Sequence, residues 1–163
     1  INPRMNGTLH NGRRHANAWL GKDRLSVIER FNNTLMRTGK FSGKKQHCAK
    51  AFEAALDNIS ERTGENPLQH FINAIVASAP CEEITRIKFG AVSQPKAVDS
   101  SPSRRLDTAL RNLSKGCASA TAKSTRTLTQ GIISEINKAA AGDVSSYAVA
   151  KKEELERIAA SSR

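Results

Sequence analysis

Aromatic residues are scarce in this chain: 4 % of 163 residues, with one Trp, one Tyr and five Phe. That scarcity argues against a sheet that reads nucleobases by stacking several of them on exposed rings. The three cysteines lie far apart in the sequence, too few and too scattered for a disulfide framework. No apolar run reaches the length of about 18 residues that a membrane span requires. No apolar signal core follows the N-terminus. Together these absences lead us to expect a soluble domain of a reducing compartment. The first residue is Ile1 rather than Met, so residues upstream are expected.

Catalytic motifs are lacking as well. There is no Walker-type phosphate loop and no dinucleotide fingerprint, and the glycines read as scattered helix ends. Cys48, Cys81 and Cys117 have no close Cys partner. His47 precedes Cys48, but adjacent helical positions point in different directions. A zinc site would have to be assembled from distant segments; core packing is the simpler reading of Cys48 and Cys117, which fall on apolar stripes. His10 and His15 belong to a basic N-terminal stretch, and His47 and His70 read as helix-surface groups. Glu82–Glu83 and Glu153–Glu154 read as solvated pairs, and no Ser–His–Asp set presents itself. We therefore expect no enzyme, no metal and no cofactor.

What the chain has is positive charge. Lys and Arg total 26 against 15 acids, a formal net charge of +11. A length near 160 residues with 38 % apolar content fits one domain with a helical core. The excess charge makes a polyanion the expected partner. Its distribution is uneven. Residues 1–22 carry Arg4, Arg13, Arg14 and Lys22 with no acid, and residues 37–50 carry Arg37, Lys40, Lys44, Lys45 and Lys50 with none. Residues 84–126 carry nine bases against Asp99 and Asp107, whereas residues 51–83 carry six acids and only Arg62. Clusters of like charge repel one another, and a bound polyanion relieves that repulsion.

Residues 1–22 show no apolar period and read as an extended basic arm. Residues 23–163 read as one helical domain. Leu25, Ile28, Phe31 and Leu35 mark a first helix from Asp23 to Gly39. Ser42 caps a second, with Cys48, Ala51, Phe52, Ala55, Leu56 and Ile59 on one stripe and Gly64 at its end. Asn66 and Pro67 start a third, burying Leu68, Phe71, Ile72, Ile75, Val76 and Ala79 before Pro80. Residues 82–101 alternate in character around Gly90–Ala91 and predict a β-hairpin, in which Pro95 shortens the second strand or confines it to an edge. Ser101–Pro102 start a fourth helix, with Leu106, Ala109, Leu110, Leu113, Cys117 and Ala120 inward. A fifth runs from about Thr125 to Gly142, with Leu128, Ile132, Ile136 and Ala140 inward. A sixth starts near Ser145 and carries Val149, Leu155, Ile158 and Ala159. The expected fold is mainly α: a single-domain bundle of about six helices with a hairpin protruding between the third and fourth.

Four basic groups are candidates for one binding face: Arg4, Arg13 and Arg14 in the arm; Lys40, Lys44 and Lys45 at the first interhelical loop; Arg86, Lys88 and Lys96 on the hairpin; and Arg104 and Arg105 in the first turn of the fourth helix, with Arg111 a further candidate along it. Free N–H groups at a helix start favour phosphate. Arg104 and Arg105 in a first turn oppose the macrodipole, a placement that a bound phosphate would explain. Such a set recognises a nucleic-acid backbone by shape and does not choose RNA over DNA. A basic hairpin on a helical body also suits a DNA-architectural protein. A nuclease would need an acid–base or metal site that the sequence does not offer.

The run Thr63-Gly64-Glu65-Asn66-Pro67-Leu68-Gln69, followed by Asn73-Ala74-Ile75, resembles the small-subunit ribosomal protein seven family (protein five in older eukaryotic naming). So do Ala97-Val98-Asp99, Ser101-Pro102, Arg104-Arg105, the Gly43-Lys44-Lys45 loop and the ending from Ser146-Tyr147-Ala148 through Glu154-Leu155-Glu156-Arg157-Ile158-Ala159. The resemblance covers roughly residues 23–163 and looks like the eukaryotic cytosolic branch. It implies a helical bundle with a protruding hairpin that binds the 3′ major domain of small-subunit rRNA in the head and helps the head assemble. It places the hairpin tip, Phe89, Gly90 and Ala91, near exit-site tRNA and the mRNA exit path. The implied partners are small-subunit rRNA, neighbouring head and platform proteins, exit-site tRNA and mRNA. No membrane and no second copy of the chain are expected. The implied location is the cytoplasmic ribosome, with nucleolar assembly in a eukaryote. Two stretches depart from the family pattern. Ser93-Gln94-Pro95-Lys96 stands where a pair of arginines is usual, and Leu110-Arg111-Asn112-Leu113 where a more apolar run is usual.

Overall fold

The computed structural model describes residues 17–90 and 92–163. Arg4, His10, Arg13, Arg14, His15 and Ala91 therefore lie outside the described residues. Among the described residues there are six α-helices: α1 (Val27–Leu35), α2 (Lys45–Thr63), α3 (Pro67–Ser78), α4 (Pro102–Thr121), α5 (Leu128–Ala140) and α6 (Tyr147–Ser161). An antiparallel hairpin of β1 (Glu82–Phe89) and β2 (Val92–Asp99) joins α3 to α4, as expected. α5 is the central helix and packs against α2, α3, α4 and α6.

Four phenylalanines, Phe31, Phe41, Phe52 and Phe71, are buried. Phe31, Phe52 and Phe71, from α1, α2 and α3, form a triangle with ring centroids 5.1–5.2 Å apart. Tilted and edge-on rings at that spacing add to the area they bury. The α2 stripe from Cys48 to Ile59 is buried throughout. Gly64 ends α2 at φ +69°, a conformation that costs a side chain energy. Asn66 caps α3 by accepting from the Leu68 N–H at 3.0 Å, with Pro67 in the first turn. α5 starts later than its sequence suggests, at Leu128, because Thr127 and Gln130 form a reciprocal capping box. α6 starts at Tyr147, close to its expected start near Ser145, with Ser146 as its cap.

Several other expectations need correction. α1 begins at Val27, and the residues before it form a separate short turn, Gly21–Arg24. Lys44, not Ser42, occupies the N-cap of α2, with no side-chain acceptor there. Ile72 and Val76 are 47 % and 66 % exposed, since α3 is apolar over more of its circumference than its neighbours cover. Ile158 is likewise exposed on α6. Gly116 and Gly131 end no helix; they sit inside α4 and α5 where the two cross. A Cβ on Gly116 would collide with the Glu135 carboxylate, and one on Gly131 would lie 2.9 Å from the Cys117 carbonyl. The Glu135 carboxylate is buried there and accepts from Ser146 Oγ at 2.8 Å and the Ala148 N–H at 3.1 Å, joining α4, α5 and α6.

β2 runs unbroken through Pro95. The Ser100 N–H donates to the Cys81 carbonyl at 3.0 Å, marking that pair as hydrogen-bonded. Alternation along an antiparallel ladder then makes the Arg86–Pro95 pair a non-bonded one, so the missing N–H of Pro95 removes nothing.

Candidate nucleic-acid interface

The hairpin is rooted between two helices. On one side the first turn of α4 holds it: Arg104 Nε donates to Glu83 at 2.6 Å, and Arg105 Nε donates to the Pro80 carbonyl at 3.0 Å. On the other side α6 holds it: Glu156 accepts the Cys81 N–H at 2.9 Å, and Arg163 pairs with Glu82. Glu82 and Glu83 are thus ion-pair partners rather than solvated carboxylates. The pairs also explain Arg104 and Arg105 without a phosphate. Their positions oppose the α4 dipole, and a carboxylate and a carbonyl of the same chain offset that.

The basic hairpin residues divide between two faces. Side chains alternate along a strand, so Arg86 and Lys88 share a face with Ile84, Ser93 and Pro95, while Lys96 lies on the opposite face with Ile87 and Val92. The first face meets α6 across a concavity lined by Ile84, Arg86, Ser93, Pro95, Ile158 and Ser162. Arg86, Lys88, Gly90 and Lys96 are all exposed; Phe89 ends β1 next to the turn.

A second concavity, of about 440 Å³, lies where the connection between α1 and α2 meets α4. Its wall includes Arg37, Thr38 and Gly39 from the connection, and Arg111 and Lys115 from α4. Sequence reading chose Arg111 as a binding residue but not Arg37 or Lys115. The signal was present: Arg104, Arg111 and Lys115, seven and four places apart, fall on one face of a helix with 3.6 residues per turn. Lys40 is exposed on the adjoining short turn Gly39–Phe41, its ammonium 5.9 Å from the Phe41 ring. Among the described residues Arg37, Lys40, Lys44, Arg111 and Lys115 pair with no carboxylate. Lys45 differs: it is half-buried and donates to the buried Glu29 at 3.2 Å. Of the candidate residues, then, Lys40, Lys44, Arg86, Lys88, Lys96 and Arg111 present free charge, while Lys45, Arg104 and Arg105 are engaged within the fold. α4 links the two regions, with Arg104 at the hairpin root and Lys115 about 16 Å farther along the helix, at 1.5 Å per residue.

Lys22 also leaves the arm that its composition assigns it to. Its ammonium donates to Asp107 Oδ2 at 2.6 Å, and Arg30 Nη2 donates to Asp107 Oδ1 at 2.6 Å. Burial raises the Asp107 carboxyl, but the Lys22 and Arg30 hydrogen bonds and charges outweigh it and hold the group below its ordinary value. Cys48 and Cys117 are buried, and burial pushes both thiols up. Among the described residues no group of His, Cys, Asp and Glu is placed to hold a metal ion, and no helix is long and apolar enough to cross a membrane.

The sequence profile of the ribosomal protein S7p/S5e family matches residues 5–163. A small ribosomal subunit protein uS7 of Thermoplasma volcanium is 46 % identical over 163 residues, all of this chain and 89 % of the relative. Its counterpart in Picrophilus torridus is 48 % identical over 155 residues, 95 % of this chain and 83 % of the relative. That of Archaeoglobus fulgidus is 44 % identical over 154 residues, 94 % of this chain and 79 % of the relative. These relatives are archaeal, so they correct the expectation of a eukaryotic cytosolic branch while bearing out the family. The match spans the helices, the hairpin and both basic regions, and it places the chain among ribosomal proteins rather than enzymes. The chain belongs to the ribosomal protein S7p/S5e family.

Proposed function

We propose that this protein is a structural component of the small ribosomal subunit that binds its rRNA through free cations on two regions joined by α4. The names of the relatives support the subunit assignment. The observation that carries the RNA reading is the unpaired cluster of Arg37, Arg111 and Lys115 around one concavity, with Lys40 beside it. Cations left without carboxylates on a folded surface are suited to phosphates. Lys44 adds charge at the start of α2, whose first N–H groups have no side-chain cap.

The finer reading follows the resemblance. The rRNA partner is the 3′ major domain in the head, whose assembly the protein assists beside head and platform proteins. Arg86 and Lys88 touch rRNA along one face of the hairpin and Lys96 along the other. Phe89, Gly90 and Ala91 lie near exit-site tRNA and the mRNA exit path. Arg13 and Arg14 extend the contact from the N-terminal stretch. The protein works in the cytoplasmic ribosome; the nucleolar assembly implied by a eukaryotic origin finds no support in archaeal relatives.

The test is a titration of the chain against a transcript of the 3′ major domain, with bent duplex DNA of equal length as competitor, over a range of salt. Preference for the transcript at physiological salt is expected. The R37A/R111A/K115A variant should bind at least tenfold more weakly, with the salt slope reduced by about one per lost cation. Equal binding to both nucleic acids, vanishing together as salt rises, would overturn the reading.

A further inference from the structure

Trp19 is the only tryptophan of the chain, and it is 93 % exposed. Leu20 beside it is 60 % exposed, so the turn presents two adjacent apolar side chains to water. Its backbone is well held. The Gly21 N–H donates to the Ala18 carbonyl and the Asp23 N–H to the Leu20 carbonyl, both at 3.1 Å. Two side chains of this turn then bind α4: Asp23 accepts from Ser103 Oγ at 2.9 Å, and Lys22 donates to Asp107. Leu20, also exposed, sits in the left-handed region at φ +54°, which a side chain rarely adopts without compensation. The indole is thus presented from an anchored, strained turn.

The surrounding charge decides what it fits. Arg24 follows the ring in sequence, is exposed and pairs with no carboxylate among the described residues, while Lys22 and Arg104, 49 % and 65 % exposed, share their charge with Asp107 and Glu83. Asp23, the one acid of the turn, is engaged by Ser103 and lies 3.9 Å from Arg30. A bare ring with the free Arg24 five residues on in the same turn matches a nucleotide, whose base takes the ring while its phosphate takes the guanidinium. An apolar pocket of another protein that covered this turn would leave Arg24 desolvated and unpaired.

We propose that Trp19 stacks on an unpaired base of bound RNA, adding a base contact to an interface otherwise made of phosphate contacts. The inference rests on the RNA reading above, but its test is separate. Trp19 alone reports tryptophan emission, so the full-length chain is titrated with three probes: the rRNA transcript, single-stranded oligoadenylate, and heparin, a polyanion without bases. Both RNAs should quench the emission and heparin should not. W19L should weaken oligoadenylate and transcript binding roughly 5- to 100-fold, with heparin binding and helicity unchanged, and W19F should restore most of the loss.

Equal quenching by heparin, or W19L binding oligoadenylate as tightly as the parent, overturns the stacking. So does emission already blue-shifted and shielded from acrylamide in the free protein, which would mean that the chain covers its own ring. Quenching by oligoadenylate without preference for the transcript over DNA leaves the stacking standing and overturns the proposed rRNA contact. Preference for the transcript with unchanged W19L affinity does the reverse.

Discussion

Replacing Asp107 by Ala should destabilise the protein by about 2–4 kcal/mol, because it strands the guanidinium of Arg30. That side chain is 8 % exposed and has Asp107 Oδ1 at 2.6 Å; the remaining carboxylate, Asp23, is 3.9 Å away. Breaking a buried pair by removing one partner costs about 3–5 kcal/mol, since the other charge stays behind uncompensated. Two features bring the figure down. Asp107 is itself 32 % exposed, so water already screens part of the attraction, and Asp23 retains some of the compensation. The half-exposed Lys22 adds well under about 1 kcal/mol. Urea unfolding followed by far-UV circular dichroism reads the difference directly, provided the slope is unchanged. D107N should fall between parent and Ala, keeping a carbonyl acceptor but losing the charge. The sign of the pH dependence is set by the lowered pKa of Asp107. Its contribution is complete above the unfolded value, near 3.9, and disappears as pH falls through the lower folded value. The gap between parent and D107N should therefore be constant from pH 7 to about 5 and close below 4. A loss under about 0.5 kcal/mol for D107A, or a gap that widens on acidification, would refute a buried charge at Arg30 that depends on Asp107.

G116A should cost about 1–3 kcal/mol by thermal or urea unfolding, because its methyl meets the buried Glu135 carboxylate that caps α6. Asn32 is fully buried, and among the described residues neither its amide nitrogen nor its oxygen has a partner; N32L should leave stability unchanged or raise it, by up to about 2 kcal/mol, and a clear loss would show that the amide is satisfied. A thiol reagent at pH 8 should label Cys81 rapidly in the native protein and Cys48 and Cys117 only on unfolding, since the latter two are buried with raised pKa values. R105A should speed hydrogen exchange in residues 82–89 while leaving α5 protected, because Arg105 ties the first turn of α4 to the Pro80 carbonyl at the hairpin root.

Local signals were legible where one residue type carries the structural requirement. Asn66–Pro67 announces a helix start because the side chain and the ring each settle an orphan group of the first turn. Gly64 and Gly142 announce ends because each takes a positive φ. The α2 stripe is buried because its apolar period matches one face. Ile72 and Val76 broke the same logic: their period is helical, but whether a second helix lies against them is a matter of packing, not of period.

Charge followed a similar division. The sequence by itself determined that this protein is a basic helical bundle with a hairpin, and its charge set the expectation of a polyanion partner, since periodicity, caps and net charge are properties of neighbouring residues and composition. Only the tertiary structure decided which cations are free. Lys45, Arg104 and Arg105 meet Glu29, Glu83 and the Pro80 carbonyl, while Arg37, Arg111 and Lys115 gather around one concavity. A side chain's charge is written in the sequence, but what neutralises it is set by distance, and residues as far apart as Lys22 and Asp107 come within 2.6 Å only when the chain is folded.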